Sequence, residues 1–154
     1  MASSPGEIDI FLPLTIGAGV TICTVVIHAF ALITIVHFVR REQRVGRAGV
    51  GFWSDVIIVA ETVLLSLAAH LIEITAWAVV FVLCGEFSHF AAAFYHSSVN
   101  YTSLGYGDIV MSASWKLLGP LETADGMLMF GVSTAMLFAL ILRLLQVRFR
   151  DLKS

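Results

Sequence analysis

The feature that most constrains this fold is a long stretch without any charged side chain, which runs from Ile10 to Val39. As a helix that rises about 1.5 Å per residue, this stretch is longer than the hydrocarbon core of a bilayer, which is about 30 Å thick. Charged residues form only 13% of the chain, and mean hydropathy is +0.92. Because a soluble domain normally carries about a quarter charged residues, we predict a membrane protein.

Two further stretches, residues 53–84 and 117–145, are apolar and long enough to cross a bilayer. Between them, residues 88–101 have helical character but are too short to span. Irregular backbone at membrane depth is tolerated only where protein buries it or water fills a cavity. The sequence therefore predicts an all-α membrane protein with three transmembrane helices, a short re-entrant helix and a loop.

The basic residues predict the orientation in the membrane. Apart from Lys116 they fall into two groups, within residues 40–47 and 143–153. The positive-inside rule places both groups in the cytoplasm, so the N-terminus and residues 85–116 lie outside. The start of the chain lacks the basic region of a signal peptide, so the first span is interpreted as retained. We expect a multi-pass protein of the plasma (inner) membrane with a cytoplasmic C-terminus. The first basic group could also bind anionic lipid, although topology alone explains it.

The loop sequence NYTSLGYGDIV, residues 100–110, places two glycines around a tyrosine and then an aspartate. Glycine reaches backbone angles that other residues avoid, so successive carbonyls can point the same way. Carbonyls aimed at a common axis can replace the hydration shell of a cation. Since one chain supplies one loop, a closed ring requires a symmetric oligomer.

The segment YTSLGYGD resembles the selectivity filter of potassium channels, whose usual form is T-x-x-T-[VIL]-G-[YF]-G-D. Leu104 occupies the aliphatic position, Thr102 the preceding hydroxyl position, and Ser103 stands where threonine is usual. Trp115 matches an aromatic residue common at the outer start of the inner helix. The positions that match without change are Gly105, Tyr106, Gly107 and Asp108.

The resemblance implies a prokaryotic-type two-helix pore domain over residues 53–145, and the first span lies outside it as an extra transmembrane helix. The parts of the pore domain are an outer helix (53–84), a pore helix (88–101), a filter (102–108) and an inner helix (117–145). From the charge pattern we expect an extracellular N-terminus and extra helix (1–39), a cytoplasmic basic loop (40–52) and a cytoplasmic tail (146–154).

The resemblance further implies a homotetramer that conducts dehydrated K⁺ and has membrane lipid and K⁺ as partners. It implies no enzymatic activity, no cofactor and no nucleic-acid partner. The K⁺ ions would lie at Ser103, Leu104, Gly105 and Tyr106. Two alternatives stay open: a weakly selective cation channel, because Ser103 loosens the innermost site, and a non-conducting scaffold or sensor that keeps the pore fold.

Filter support is expected behind Asp108. In channels of this type, that aspartate bonds to pore-helix side chains. The resemblance places His96 where the donor is often a tryptophan, and Val99 where a glutamate can stand. Asp108 would then depend on His96, and protonation of the imidazole would strengthen the pair. Moderate external acid or alkali would change filter gating through His96, unless His96 only packs against the next subunit.

Ionisable residues inside the spans invite functional interpretations. Glu61, His70 and Glu73 interrupt the second span, and His70 with Glu73 could bind a metal at i, i+3 spacing. No second Glu-x-x-His pair exists, so hydrogen bonding to the first span or to a neighbouring subunit is favoured. His28 and His37 fall on opposite faces of the first helix, which argues against a shared ligand role.

The start of the third span carries further candidates. Glu122 could contribute to an anionic outer mouth, or both Glu122 and Asp125 could simply favour the helix N-terminus. Gly126 and Gly131 are possible gating hinges, but glycine in membrane helices is also common for close packing alone.

Overall fold

The structure is a computed structural model that describes residues 10–151. It contains four helices, α1 (Phe11–Arg44), α2 (Phe52–Leu83), α3 (Phe90–Tyr101) and α4 (Leu118–Asp151), and no strand within those residues. Helices α1, α2 and α4 are long and apolar enough to cross a membrane. The predicted all-α class with three candidate spans is confirmed. The start of the predicted extracellular N-terminus (1–9) and the end of the predicted tail (152–154) lie outside the described residues.

Two helices run further than the apolar pattern indicated. Helix α1 continues beyond Val39 to Arg44, and α4 continues beyond Leu145 to Asp151. Both extensions are rich in arginine, which has a high helix propensity and is favoured near a helix C-terminus. Hydropathy therefore marked the part of each helix suited to hydrocarbon, and not the end of the helix.

Helices α1 and α2 end in the same hydrogen-bonded arrangement. After α1, Gly46 adopts φ +73°, its N–H bonds to Gln43 O, and Arg47 N–H bonds to Glu42 O. After α2, Gly85 adopts φ +76° and repeats the pattern. This is the Schellman motif, in which a left-handed residue lets two amides satisfy the last carbonyls of the helix.

The described residues divide into two compact units. The first unit combines the chain up to Val26 with Ile72–Leu128. It contains the start of α1, the end of α2, all of α3, and the start of α4. Its fully buried core comes from α2, α3 and α4, and comprises Trp77, Ala78, Phe81, Ala93, Tyr101 and Leu118.

The second unit combines Ile27–Leu71 with the chain from Met129 onwards. Its apolar core joins the loop after α1 to α2 and α4, and comprises Ala48, Ile58, Leu140 and Leu144. Asp55 ties the same elements together by polar contacts. It accepts the N–H of Gly49 (2.8 Å) and pairs with the Arg148 guanidinium (3.2 Å).

Candidate functional site

The loop of residues 102–108, called here the filter loop, begins as the cap of α3. Ser103 has φ +61°, its N–H donates to Asn100 O (2.9 Å), and Leu104 N–H donates to Val99 O (2.9 Å). These are the two bonds of a Schellman motif, in which glycine usually holds the left-handed position. Here serine holds it, and it is the one non-glycine residue with positive φ among residues 10–151.

A single carbonyl orients the first peptides of the filter loop. Val99 O accepts the N–H of Leu104 (2.9 Å) and also that of Gly105 (3.2 Å). In a trans peptide the carbonyl of one residue points opposite to the N–H of the next, and no peptide bond among the described residues is cis. The carbonyls of Ser103 and Leu104 therefore both point away from the end of α3.

The φ angles in the rest of the filter loop also direct its carbonyls to one side. Positive φ recurs at every second residue, at Ser103 (+61°), Gly105 (+59°) and Gly107 (+69°), whereas Leu104 and Tyr106 have ordinary angles. A strand turns successive carbonyls to opposite sides, but alternating handedness turns them to the same side. All seven residues of the loop are exposed.

The structure pairs Asp108 with Tyr95 rather than with His96. Tyr95 Oη donates to Asp108 Oδ2 at 2.8 Å. This hydrogen bond is the main reason why the pKa of the Tyr95 phenol lies above its ordinary value. Consecutive helical residues point about 100° apart, so the hydroxyl of Tyr95 reaches the loop while the next side chain turns inward. Sequence reasoning missed the hydroxyl of Tyr95, which directly precedes His96 in the chain.

His96 is buried among aromatic rings instead. Its ring centroid lies 5.5 Å from that of Phe81 and 5.1 Å from that of Phe87. Asn100 Nδ2 lies 2.9 Å from its Nε2, where an N–H of the amide meets the lone pair of a neutral imidazole. Burial lowers the pKa of His96 below its ordinary value of 6.5. This environment opposes the protonation that the sequence-based hypothesis required.

The segment after the filter loop has a support that the sequence did not reveal. Both oxygens of Glu86 accept from Ser112, one from the backbone N–H (2.7 Å) and one from the hydroxyl (2.6 Å). Trp115, expected to support the filter, lies in the turn that follows, where its backbone N–H donates to Ser112 O (3.2 Å). Glu86 therefore anchors the exit of the loop to the end of α2.

Glu122 does not lie at an open mouth in this structure. Its side chain is fully buried, and its Oε1 accepts a hydrogen bond from Ser97 on α3. Ser97 Oγ also lies 2.8 Å from Ile74 O on α2. The placement of Glu122 differs from the predicted ring of anionic charge, because the side chain packs against α3 rather than facing solvent.

Two other buried acids of the first unit also accept from uncharged donors. Asp125 Oδ2 accepts from Thr24 Oγ1 on α1 (2.7 Å) and from Trp77 Nε1 on α2 (2.9 Å). Glu73 accepts a hydrogen bond from the Tyr101 hydroxyl at the end of α3. The bond between Thr24 and Asp125 connects α1 to α4, and the bond between Glu73 and Tyr101 connects α2 to α3. Glu61, by contrast, is exposed.

The two candidate hinge glycines have different surroundings. A Cβ on Gly126 would lie 2.1 Å from the carbonyl oxygen of Tyr101, the last residue of α3. A Cβ on Gly131 would meet nothing within 4 Å. Gly126 therefore permits the close approach of α4 to α3, whereas Gly131 is free of such a constraint.

Comparison with known protein families identifies a match within the chain. A family model described as "Ion channel" (Ion_trans_2) matches residues 69–143, slightly less than half of the chain. The matched residues include α3, the filter loop and most of α4. No curated protein and no solved structure gives a significant match. The match supports an ion channel, and together with three apolar helices it indicates a multi-pass membrane protein.

Proposed function

We propose that this chain is the subunit of a potassium-selective channel, in which four copies bring their filter loops together around one axis. The observation that carries the proposal is the double acceptor role of Val99 O. Because Leu104 and Gly105 both donate to it, the carbonyls of Ser103 and Leu104 share one direction. Four such loops would line a pathway with backbone oxygens.

Carbonyl ligands favour a cation that must shed its water. The loop from Thr102 to Gly107 carries no charged side chain, so the ion would be held by dipoles alone. Such a ring replaces the hydration shell of K⁺, and sodium is excluded by the size of the ring or by its field strength. The exposed Asp108 adds negative potential at the end of the loop.

The proposed assembly keeps both arginine-rich segments in the cytoplasm and the filter loop near the outer face of a plasma (inner) membrane. Apolar side chains on α1, α2 and α4 are exposed in the single chain, as expected for surfaces that meet lipid or a second copy. The proposed channel requires no cofactor, because the permeant ion is itself the species that carries charge through the pore.

One observation favours a second candidate, a weakly selective cation channel. Ser103 lacks the methyl group of the usual threonine and adopts a left-handed backbone, which costs a non-glycine residue about 1 kcal/mol. A looser innermost ring would discriminate less between K⁺ and Na⁺.

The test is the reversal potential of purified protein reconstituted into a planar bilayer between K⁺ and Na⁺ solutions. We expect a reversal potential close to that of K⁺ alone. Gly105→Ala is expected to abolish K⁺ selectivity. Gly85→Ala is the matched control, because both glycines have positive φ (+59° and +76°) and space for a Cβ, yet only Gly105 lies in the filter loop.

The outcomes separate the candidates. A reversal potential near zero would favour the weakly selective channel, and no current from correctly assembled protein would favour a non-conducting scaffold. Equal effects of Gly85→Ala and Gly105→Ala on selectivity would remove the filter assignment. A cross-linking pattern that stopped at dimers would contradict the fourfold assembly.

A further inference from the structure

Two buried histidines of the second unit converge on one hydroxyl. His28 on α1 is 3% exposed and His70 on α2 is 4% exposed. The Nε2 atoms of both rings lie 3.1 Å from Ser133 Oγ on α4. The ring centroids are 5.2 Å apart, and the Phe130 ring lies 4.3 Å from that of His70. Three helices thus direct two imidazole nitrogens and one oxygen to the same point.

The hydroxyl of Ser133 can serve only one of the rings as a donor. It has a single proton, so it donates to one Nε2 and accepts from the other. One of the two Nε2 atoms therefore already presents a lone pair towards Ser133. The second ring presents one after its proton moves to Nδ1, a change of tautomer without any change of charge.

This arrangement suits a borderline transition metal. Neutral imidazole is a good ligand for Zn²⁺, with Zn–N distances of about 2.0–2.1 Å. One ring nitrogen of His28 and one of His70 lie within 4.8 Å of each other, so both can reach one ion when the rings turn towards it. Such a pair does not suit Mg²⁺ or Ca²⁺, which prefer oxygen ligands.

A neighbouring cavity provides access and space for further ligands. It has a volume of about 210 Å³, and His70 and Ser133 form part of its wall. Ser66 and Thr134 also line it and offer hydroxyl groups beside the apolar Phe130. The two imidazoles and the Ser133 oxygen leave one position of a tetrahedral coordination open, and this position faces the cavity side of the site.

We propose that His28, His70 and Ser133 form a binding site for Zn²⁺ or a similar transition-metal ion. The two imidazoles are the principal ligands, and Ser133 Oγ is the third. A bound ion joins α1, α2 and α4 at one point. The site does not depend on the proposed channel function, because its test measures binding and not ion flux.

The experiment is a Zn²⁺ titration of tag-free, full-length protein in detergent micelles, followed by calorimetry. We expect saturable binding of one Zn²⁺ per chain, and at least a tenfold loss of affinity in His28→Gln and in His70→Gln. His37→Gln is the matched control, because His37 also lies on α1 but is exposed, and its ring bonds to Ile33 O of the same helix. Its affinity should stay within twofold of wild type, and Mg²⁺ should not bind.

Zinc-edge X-ray absorption of the loaded wild-type protein tests the site without relying on a variant. Two imidazole rings at about 2.0 Å from the ion would support the site. Sulfur ligands, which would implicate Cys23 or Cys84, would overturn it. Absence of saturable binding, or a loss in His37→Gln as large as that in the other two variants, would also overturn it.

Discussion

At the scale of single residues, Ser103 shows how function can override backbone preference. It holds the position that glycine occupies after α1 and α2, although a side chain in this left-handed conformation is unfavourable. Glycine would fit the helix cap better. We infer that the hydroxyl, which the proposed innermost ion site uses, is the reason for serine.

A reciprocal pair of substitutions tests this inference. Ser103→Gly should raise the free energy of unfolding by up to about 1 kcal/mol and lower the K⁺ over Na⁺ permeability ratio. Gly85→Ser should lower the free energy of unfolding by about 1 kcal/mol without changing the ratio. Denaturation and reversal potentials measure the two effects. An unchanged ratio in Ser103→Gly would contradict a role for the hydroxyl.

Tyr95 is expected to hold the filter loop through Asp108. Tyr95→Phe removes the donor of the 2.8 Å bond and leaves the ring in place. We expect faster loss of K⁺ current during sustained opening, recorded in single-channel or flux traces. Asp108→Asn should have a smaller effect in the Tyr95→Phe background than alone, because the two residues share one interaction. Additive effects would argue against this bond.

His96 gives the pH dependence of stability a definite sign. Its pKa in the folded protein is lowered mainly by burial, while a hydrogen bond to the Ile109 backbone and the charges of Asp108 and Glu86 partly oppose the shift. Below pH 6.5 the unfolded chain therefore takes up a proton that the folded chain resists, and stability falls as the pH falls. The thermal midpoint should drop between pH 7.5 and about 5.5, less steeply in His96→Gln. Identical slopes would exclude His96 as the cause.

At the scale of elements, the close packing of α4 on α3 depends on one glycine. Gly126 lies against the carbonyl of Tyr101, two residues before the first left-handed residue of the filter loop. A shift of α4 at this point would move the end of α3, and the loop would follow because Val99 and Asn100 hold its first amides.

The two glycines of α4 provide a matched comparison. Gly126→Ala should destabilise the protein by about 1–3 kcal/mol through a backbone clash and should reduce K⁺ selectivity. Gly131→Ala should be neutral or stabilising by up to about 1 kcal/mol, because alanine favours the helix and space is available. Thermal unfolding and reversal potentials distinguish them. A gating defect in Gly131→Ala at unchanged stability would support its proposed role as a hinge.

At the scale of the whole molecule, the distribution of arginine predicts the orientation in the membrane. We expect a cysteine at Val50, in the loop after α1, to react with an impermeant thiol reagent only from inside the cell. A cysteine at Ser114, after the filter loop, should react only from outside. Both positions are exposed, and the background would carry serine at Cys23 and Cys84. The opposite labelling pattern would contradict both the orientation and the proposed direction of the filter loop.

The sequence by itself determined the features that depend on local composition. The uncharged run from Ile10 to Val39 specifies a long apolar helix, and the other two spans follow from the same signal. Gly105 and Gly107 adopt the positive φ angles that their positions around Tyr106 suggested. These properties depend on side-chain hydrophobicity and on backbone sterics, which neighbouring residues along the chain are sufficient to define.

Only the tertiary structure decided which side chains meet. Whether Tyr95 or His96 reaches Asp108 depends on the rotation of α3 about its axis, and a change of one residue turns a helix by about 100°. The burial of Glu122 against Ser97 and the contact of Gly126 with Tyr101 depend on how closely α4 approaches α3. The convergence of His28 and His70 on Ser133 likewise requires three helices in one register. The rotation of a helix, its distance from a neighbouring helix and their register depend on packing between segments that are distant in the chain. A local sequence pattern does not determine them.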